Sequence, residues 1–142
     1  MVNDVLINKA SSIERCIKRV REEYAKAGPN FANDYSRQDA AILNIQRACE
    51  AALDMGQHII RQERLGIPQS ARDVFTLLAQ ASWIDADLAD VMKRMIGFRN
   101  IAVHDYQTLL LPIVEKIITI HLNDFLQFSS CVLTKNHALN KE

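Results

Sequence analysis

The chain has 142 residues, 49% of them hydrophobic and 24% charged, which suits a single globular domain with its own core. Seventeen Lys and Arg balance seventeen Asp and Glu, so a protein that coats nucleic acid by bulk positive charge is disfavoured, and any such contact must come from a local patch. Only four Gly and three Pro argue against a low-complexity chain and against a turn-rich β-sandwich.

The first period is helical. Leu6, Ala10, Ile13, Ile17, Val20 and Tyr24 recur at steps of four and three, with Cys16 beside them. This predicts a long helix capped by Asn3 or Asp4 and stopped at Gly28–Pro29, with Arg15, Lys18, Arg19, Arg21, Glu22 and Glu23 on its wet side. A loop over residues 29–36 leads to a second stripe of Ile42, Ile45, Cys49, Ala52, Gly56, Ile59 and Ile60. That stripe predicts a helix of about 30 residues, roughly 45 Å, ending near Leu65–Gly66 before Pro68.

Shorter helices follow. Ser70 and Asp73 have capping-box spacing ahead of Val74, Leu77, Leu78 and Ala81. Asp85 is a cap for a fourth helix that buries Leu88, Val91, Met92, Met95 and Ile96. Pro112 opens a last helix, expected to turn Ile113, Ile117, Ile120 or His121, and Phe125 inward. The expected fold is all-α: an up-and-down bundle of about five helices, two long and three shorter, over residues 1–133, with residues 134–142 as a flexible polar tail.

Cys16, Cys49 and Cys131 form neither a CxxC pair nor a Cys/His cluster, which predicts reduced thiols and no metal site. The N-terminus lacks the apolar stretch of a signal peptide, and no segment approaches the ~18 apolar residues of a membrane span. The expectation is a cytoplasmic protein. No phosphate-binding loop, dinucleotide turn or HExxH helix is present. His58 and His121 fall on or near apolar stripes and read as packing residues, and His137 lies in the tail.

His104 differs in its company: Arg99, Asn100, Asp105 and Tyr106 surround it. Arginine offers a permanent planar cation for phosphate oxygens, histidine gives or takes a proton near neutral pH, and asparagine can orient a neighbour. On one continuous helix, five residues put the Arg99 and His104 side chains about 140° apart. They converge only if the helix breaks between them or if two subunits meet. By itself the spacing is equally compatible with a helix end whose basic side chains face the last carbonyls.

The run GFRNIAVHDY, residues 97–106, resembles the signature of HEPN-domain ribonucleases and, within them, of the HepT toxin family, whose partner is the minimal nucleotidyltransferase antitoxin MntA. The resemblance extends through IERCIKRVREEY (13–24), QDAAILNIQRACEAALDMGQHII (38–60) and DVFTLLA (73–79), in the same order, and covers about residues 5–128. Asp105 stands where relatives often carry Glu.

The resemblance implies a five-helix HEPN bundle that forms a homodimer with both motifs facing one cleft. It implies metal-independent cleavage of tRNA or mRNA, without cofactor, by attack of the ribose 2′-OH on the neighbouring phosphorus. In that reading His104 is general base or acid, Arg99 stabilises the transition state, and Asn100 positions the pair. Tyr106 matches the tyrosine that MntA modifies with AMP, adding negative charge beside His104 and Arg99. Lys93 and Arg94, just before the motif, are candidates for contact with the RNA backbone, whereas the helix 1 cations read equally as a solvated face. The rival reading is a non-catalytic helical module that serves as scaffold for a nucleotidyltransferase.

Overall fold

A computed structural model describes residues 4–140. Helix α1 (Asp4–Ala27) buries Leu6, Ala10, Ile13, Ile17 and Val20, as their spacing requires. Asn3, offered as an alternative cap, lies outside the described residues. The segment Gly28–Asn33, expected as loop, is a 3₁₀ turn that buries Phe31 edge-on against Tyr24, ring centroids 4.9 Å apart. Gly28 has φ of 55°, a left-handed conformation that lets the chain leave α1 sharply.

Helix α2 (Tyr35–Glu63) starts where Asp34 accepts the Arg37 amide at 3.1 Å and ends at Arg64 in the left-handed conformation. It lies along α1 and buries the whole expected stripe from Ile42 to Ile60. Between these helices Glu23 is buried, with Arg37 at 2.6 Å and Arg19 at 3.1 Å satisfying its carboxylate. The Arg37 hydrogen bond holds that carboxyl below the usual range.

Helix α3 (Ala71–Gln80) is capped by Ser70, whose hydroxyl accepts the Asp73 amide at 3.2 Å, while Asp73 reaches back to the Gln69 amide at 2.9 Å. It crosses α2 at Gly56, where a Cβ would come within 2.6 Å of Val74 Cγ1. Helix α4 (Ala86–His104) begins with Asp85 accepting the Leu88 amide at 2.7 Å. It buries Leu88, Met92, Met95 and Ile96, with Val91 only partly covered.

The last rod differs from expectation in two ways. Helix α5 (Leu111–Lys116), a π-helical turn at Ile117–His121 and helix α6 (Leu122–Asn140) run on end to end. The wide turn shifts the register, so Val114, Ile117, Ile118, Leu122 and Phe125 are buried, whereas Ile113 and Ile120 face out at 49% and 61% exposure. The inward placement expected for Ile113 is therefore corrected, and of the alternatives Ile120 and His121 it is His121 that is half-buried.

Of the tail expected over residues 134–142, residues 141–142 lie outside the described residues. Residues 134–140, His137 included, continue α6. Asn136 is buried and accepts from Gln62 at 3.1 Å. Lys135 donates to the carbonyls of Ala81 and Ser82 at 2.9 and 3.2 Å and covers the Trp83 ring. With α5 and α6 counted as one rod, five helical rods form the bundle, and no strand occurs among the described residues. No described helix is long and apolar enough to cross a membrane.

Candidate ribonuclease site

Helix α4 runs unbroken through both Arg99 and His104, which answers the question of a break between them. Their side chains leave the helix about 140° apart. Arg99 emerges on the packed side, in line with Met92 and Met95, and reaches across to α2. There its Nε donates to Glu50 Oε1, and its Nη1 donates to Asn100 Oδ1 at 2.7 Å. The guanidinium is thus oriented in two directions, and the Glu50 hydrogen bond strengthens its hold on its proton.

Asn100 and His104, four residues apart, lie on one face of α4. His104 is the last residue of the helix, and its imidazole is exposed. The Asp105 amide closes the helix on the Ile101 carbonyl at 2.8 Å, and the chain turns at once into a 3₁₀ turn over Tyr106–Thr108. That turn carries Tyr106 back toward α2, where its hydroxyl donates to Asp39 Oδ1. Partial burial, then the hydrogen bond and the negative charge of Asp39, push the phenol up to about 12.

The chain therefore assembles Arg99, Asn100 and Glu50 as one group and Tyr106 with Asp39 as another. Arg99 and His104 leave α4 on different sides, about 140° apart. Lys93 lies eleven residues before His104 on the same face, about 20° away by rotation. It is half-buried, with its carbonyl accepting from Arg72 Nε at 3.4 Å. Arg94 is exposed on a different side, where it lines a groove between α4 and α5 with Arg72 and Lys116 at the rim and Phe98, Ile101, Leu110 and Ile113 along it.

The helix 1 cations face a groove between α1 and α2, lined by Arg15, Lys18, Arg19 and Arg47 together with Glu22, Asp54 and Glu50. Four of the α1 cations are already engaged: Lys9 pairs with Asp54 at 2.9 Å and Arg19 with Glu23 at 3.1 Å, while Arg21 donates to Asn123 at 2.7 Å and Arg15 to Ser12 at 3.3 Å. The free thiols are core groups. Cys49 is fully buried, which pushes its thiol up. Among the described residues no three His, Cys, Asp or Glu side chains group as metal ligands would.

Glu50 and Asp39 were missed by reasoning along the chain. Each is a single carboxylate on a helix rich in charge, 49 and 67 residues from its partner.

An all-α bundle with an Arg–Asn…His–x–Tyr cluster at the end of its fourth helix defines a HEPN-type fold. The family model for Ribonuclease HepT-like proteins matches residues 13–132, and the chain belongs to that family. It is 54% identical over 127 residues to the mRNA nuclease HepT of Shewanella oneidensis, a match covering 89% of this chain and 95% of the relative. Among solved structures, a toxin–antitoxin complex with AMP-PNP contains a chain similar at TM-score 0.89 and 52% identity, covering 93% of this chain and 99% of that one. The tri-AMPylated Shewanella oneidensis HEPN toxin in complex with MNT antitoxin is similar at TM-score 0.89 and 51% identity, covering 94% and 99%.

Proposed function

We propose that this chain is the toxin of a toxin–antitoxin pair, a cytoplasmic endoribonuclease neutralised when an MntA-like nucleotidyltransferase attaches AMP to Tyr106. The observation that carries the reading is Arg99 held charged and oriented by Glu50 and Asn100, with an exposed imidazole at the end of the same helix. The Shewanella relative, named an mRNA nuclease, supports messenger RNA as the substrate.

The unbroken helix supports a two-chain assembly. Because Arg99 and His104 diverge within one protomer, a composite cleft needs two, related by a twofold axis so that both motifs face it. Ile101, Leu110 and Ile113, exposed at 42%, 61% and 49%, line the groove beside the motif and supply apolar area for that homodimer.

In the cleft, His104 takes the proton from a ribose 2′-OH as its oxygen attacks the adjacent phosphorus. Arg99 neutralises the charge gathering on the phosphoryl oxygens. Proton return to the leaving 5′ oxygen falls to the second histidine of the dimer, and the product ends in a 2′,3′-cyclic phosphate. Lys93, on the His104 face of α4, is placed to meet the RNA backbone, and Arg94 adds positive charge at the groove on the other side of the helix. AMP on Tyr106, two residues from His104, places a phosphodiester charge where the RNA phosphate would sit.

The test is incubation of the purified chain with RNA and EDTA, followed by end-group analysis. Fragments with cyclic phosphate ends that vanish with His104→Ala are expected. Intact RNA under these conditions would favour a binding module that only docks the nucleotidyltransferase.

A further inference from the structure

Tyr106 and Asp39 come from distant parts of the chain. Asp39 sits in the second turn of α2, fixed by the Asp34 cap below it, and Tyr106 opens the 3₁₀ turn after α4. The phenol hydroxyl donates to Asp39 Oδ1, so the proton already points at a carboxylate while the oxygen remains at the surface, Tyr106 being 42% exposed. An exposed tyrosine needs no such partner to be soluble, since water serves its hydroxyl equally well. What the arrangement adds is a proton acceptor fixed on the nucleophile itself.

We propose that Asp39 is the general base for the first AMP transfer, taking the Tyr106 hydroxyl proton within the toxin chain. This rests on the reading of Tyr106 as the AMP acceptor. Tyr106 Oη forms a bond to the α-phosphorus of ATP, brought with magnesium by the antitoxin. The bond from that phosphorus to the bridging oxygen of the β-phosphate breaks, pyrophosphate leaves, and the proton passes from Oη to Asp39 Oδ1.

The need is quantitative. A phenol titrating near 12 is ionised in only about one molecule in 10⁵ at neutral pH, so the attacking oxygen must shed its proton during the transfer. The chemistry also limits Asp39 to one step. Once Oη is esterified it carries no proton, and a further AMP joins a ribose hydroxyl one phosphate and one sugar away from Asp39.

The experiment follows intact mass over time with the antitoxin and Mg·ATP. Asp39→Asn keeps size and hydrogen-bond acceptor but not basicity, and the first AMP is expected to slow about a hundredfold or more. Later additions keep their wild-type rate, and Asp39→Glu recovers most of the loss. Antitoxin affinity and helical circular dichroism are measured on the same variants. A first addition at the wild-type rate in Asp39→Asn overturns the proposal. Equal slowing of every addition, or weakened antitoxin binding, overturns it too, because Asp39 would then only dock or place the tyrosine. Tyr106→Phe is the separate control: AMP uptake by that variant would overturn the Tyr106 reading itself, whatever Asp39→Asn does.

Discussion

Asp39 and Glu50 stand eleven residues apart on α2, three helical turns and about 20° of rotation, so both carboxylates lie on one face. Glu50 holds Arg99, and Asp39 holds Tyr106. Arg99 on α4 meets Glu50, and Tyr106, in the turn beyond the end of α4, meets Asp39, so the chain after α4 heads toward the start of α2. One helix thus supports both the Arg99 guanidinium and the Tyr106 hydroxyl.

Glu50 is a positioning residue for Arg99. Arg99→Ala and His104→Ala are each expected to abolish RNA cleavage with the bundle intact. Glu50→Gln should lower kcat about tenfold or more, because a loosened guanidinium loses its alignment with the phosphoryl oxygens. Its effect on unfolding should stay within about 1 kcal/mol, as for other half-exposed ion pairs. Single-turnover cleavage and urea unfolding of the same variant separate the two. Equal cleavage by Glu50→Gln and wild type would remove Glu50 from the machinery.

The dimer face can be tested without touching the motif. Leu110→Asp or Ile113→Asp places a charge in the groove between α4 and α5. Sedimentation should then report a single chain that retains full helicity and no longer cuts RNA. A variant that stays dimeric would place the interface elsewhere.

Gly56 marks the closest approach of α2 and α3. An added methyl would meet Val74 at 2.6 Å and Leu78 at 3.1 Å, both core side chains. Gly56→Ala should cost about 1–3 kcal/mol despite alanine's better helix propensity. Combining it with Val74→Ala should cost less than the two single losses added, which a double-mutant unfolding cycle reads directly.

Tyr106 should titrate apart from an ordinary tyrosine. The ultraviolet absorbance of tyrosinate is expected to show a phenol near pH 12 that is absent in Tyr106→Phe. Asp39→Asn should lower it only part way toward the ordinary value of about 10, because burial is the largest cause. The sign for stability follows. A folded-state value above the unfolded one stabilises fully below about pH 10, and that contribution disappears as pH rises through about 12.

The long helices were legible because each buries one stripe, and a stripe repeats at 3.6 residues whatever it packs against. Ser70, Asp73 and Asp85 announced their helices because a cap is a local bond. Arg99, Asn100, His104 and Tyr106 were legible as a run of ten residues. Glu50 and Asp39 were not, since a carboxylate among arginines and lysines reads as a wet face until another helix is laid against it. The last rod misled for two reasons. A π turn breaks the period on which stripes are counted, and Lys135 and Asn136 are polar side chains whose partners lie on other elements.

The wide turn at Ile117–His121 has a consequence for how this rod is shared. One extra residue in a turn rotates everything beyond it by about 100°. The segment before it can therefore keep Ile113 facing outward while the segment after it keeps Phe125, Phe128 and Val132 aimed at the chain's own interior. A one-residue deletion there would leave the pattern of residue types on both sides intact and still throw the outer and inner faces out of phase. The length of that turn therefore decides which residues of the rod face out and which face in, as much as any side chain in it does.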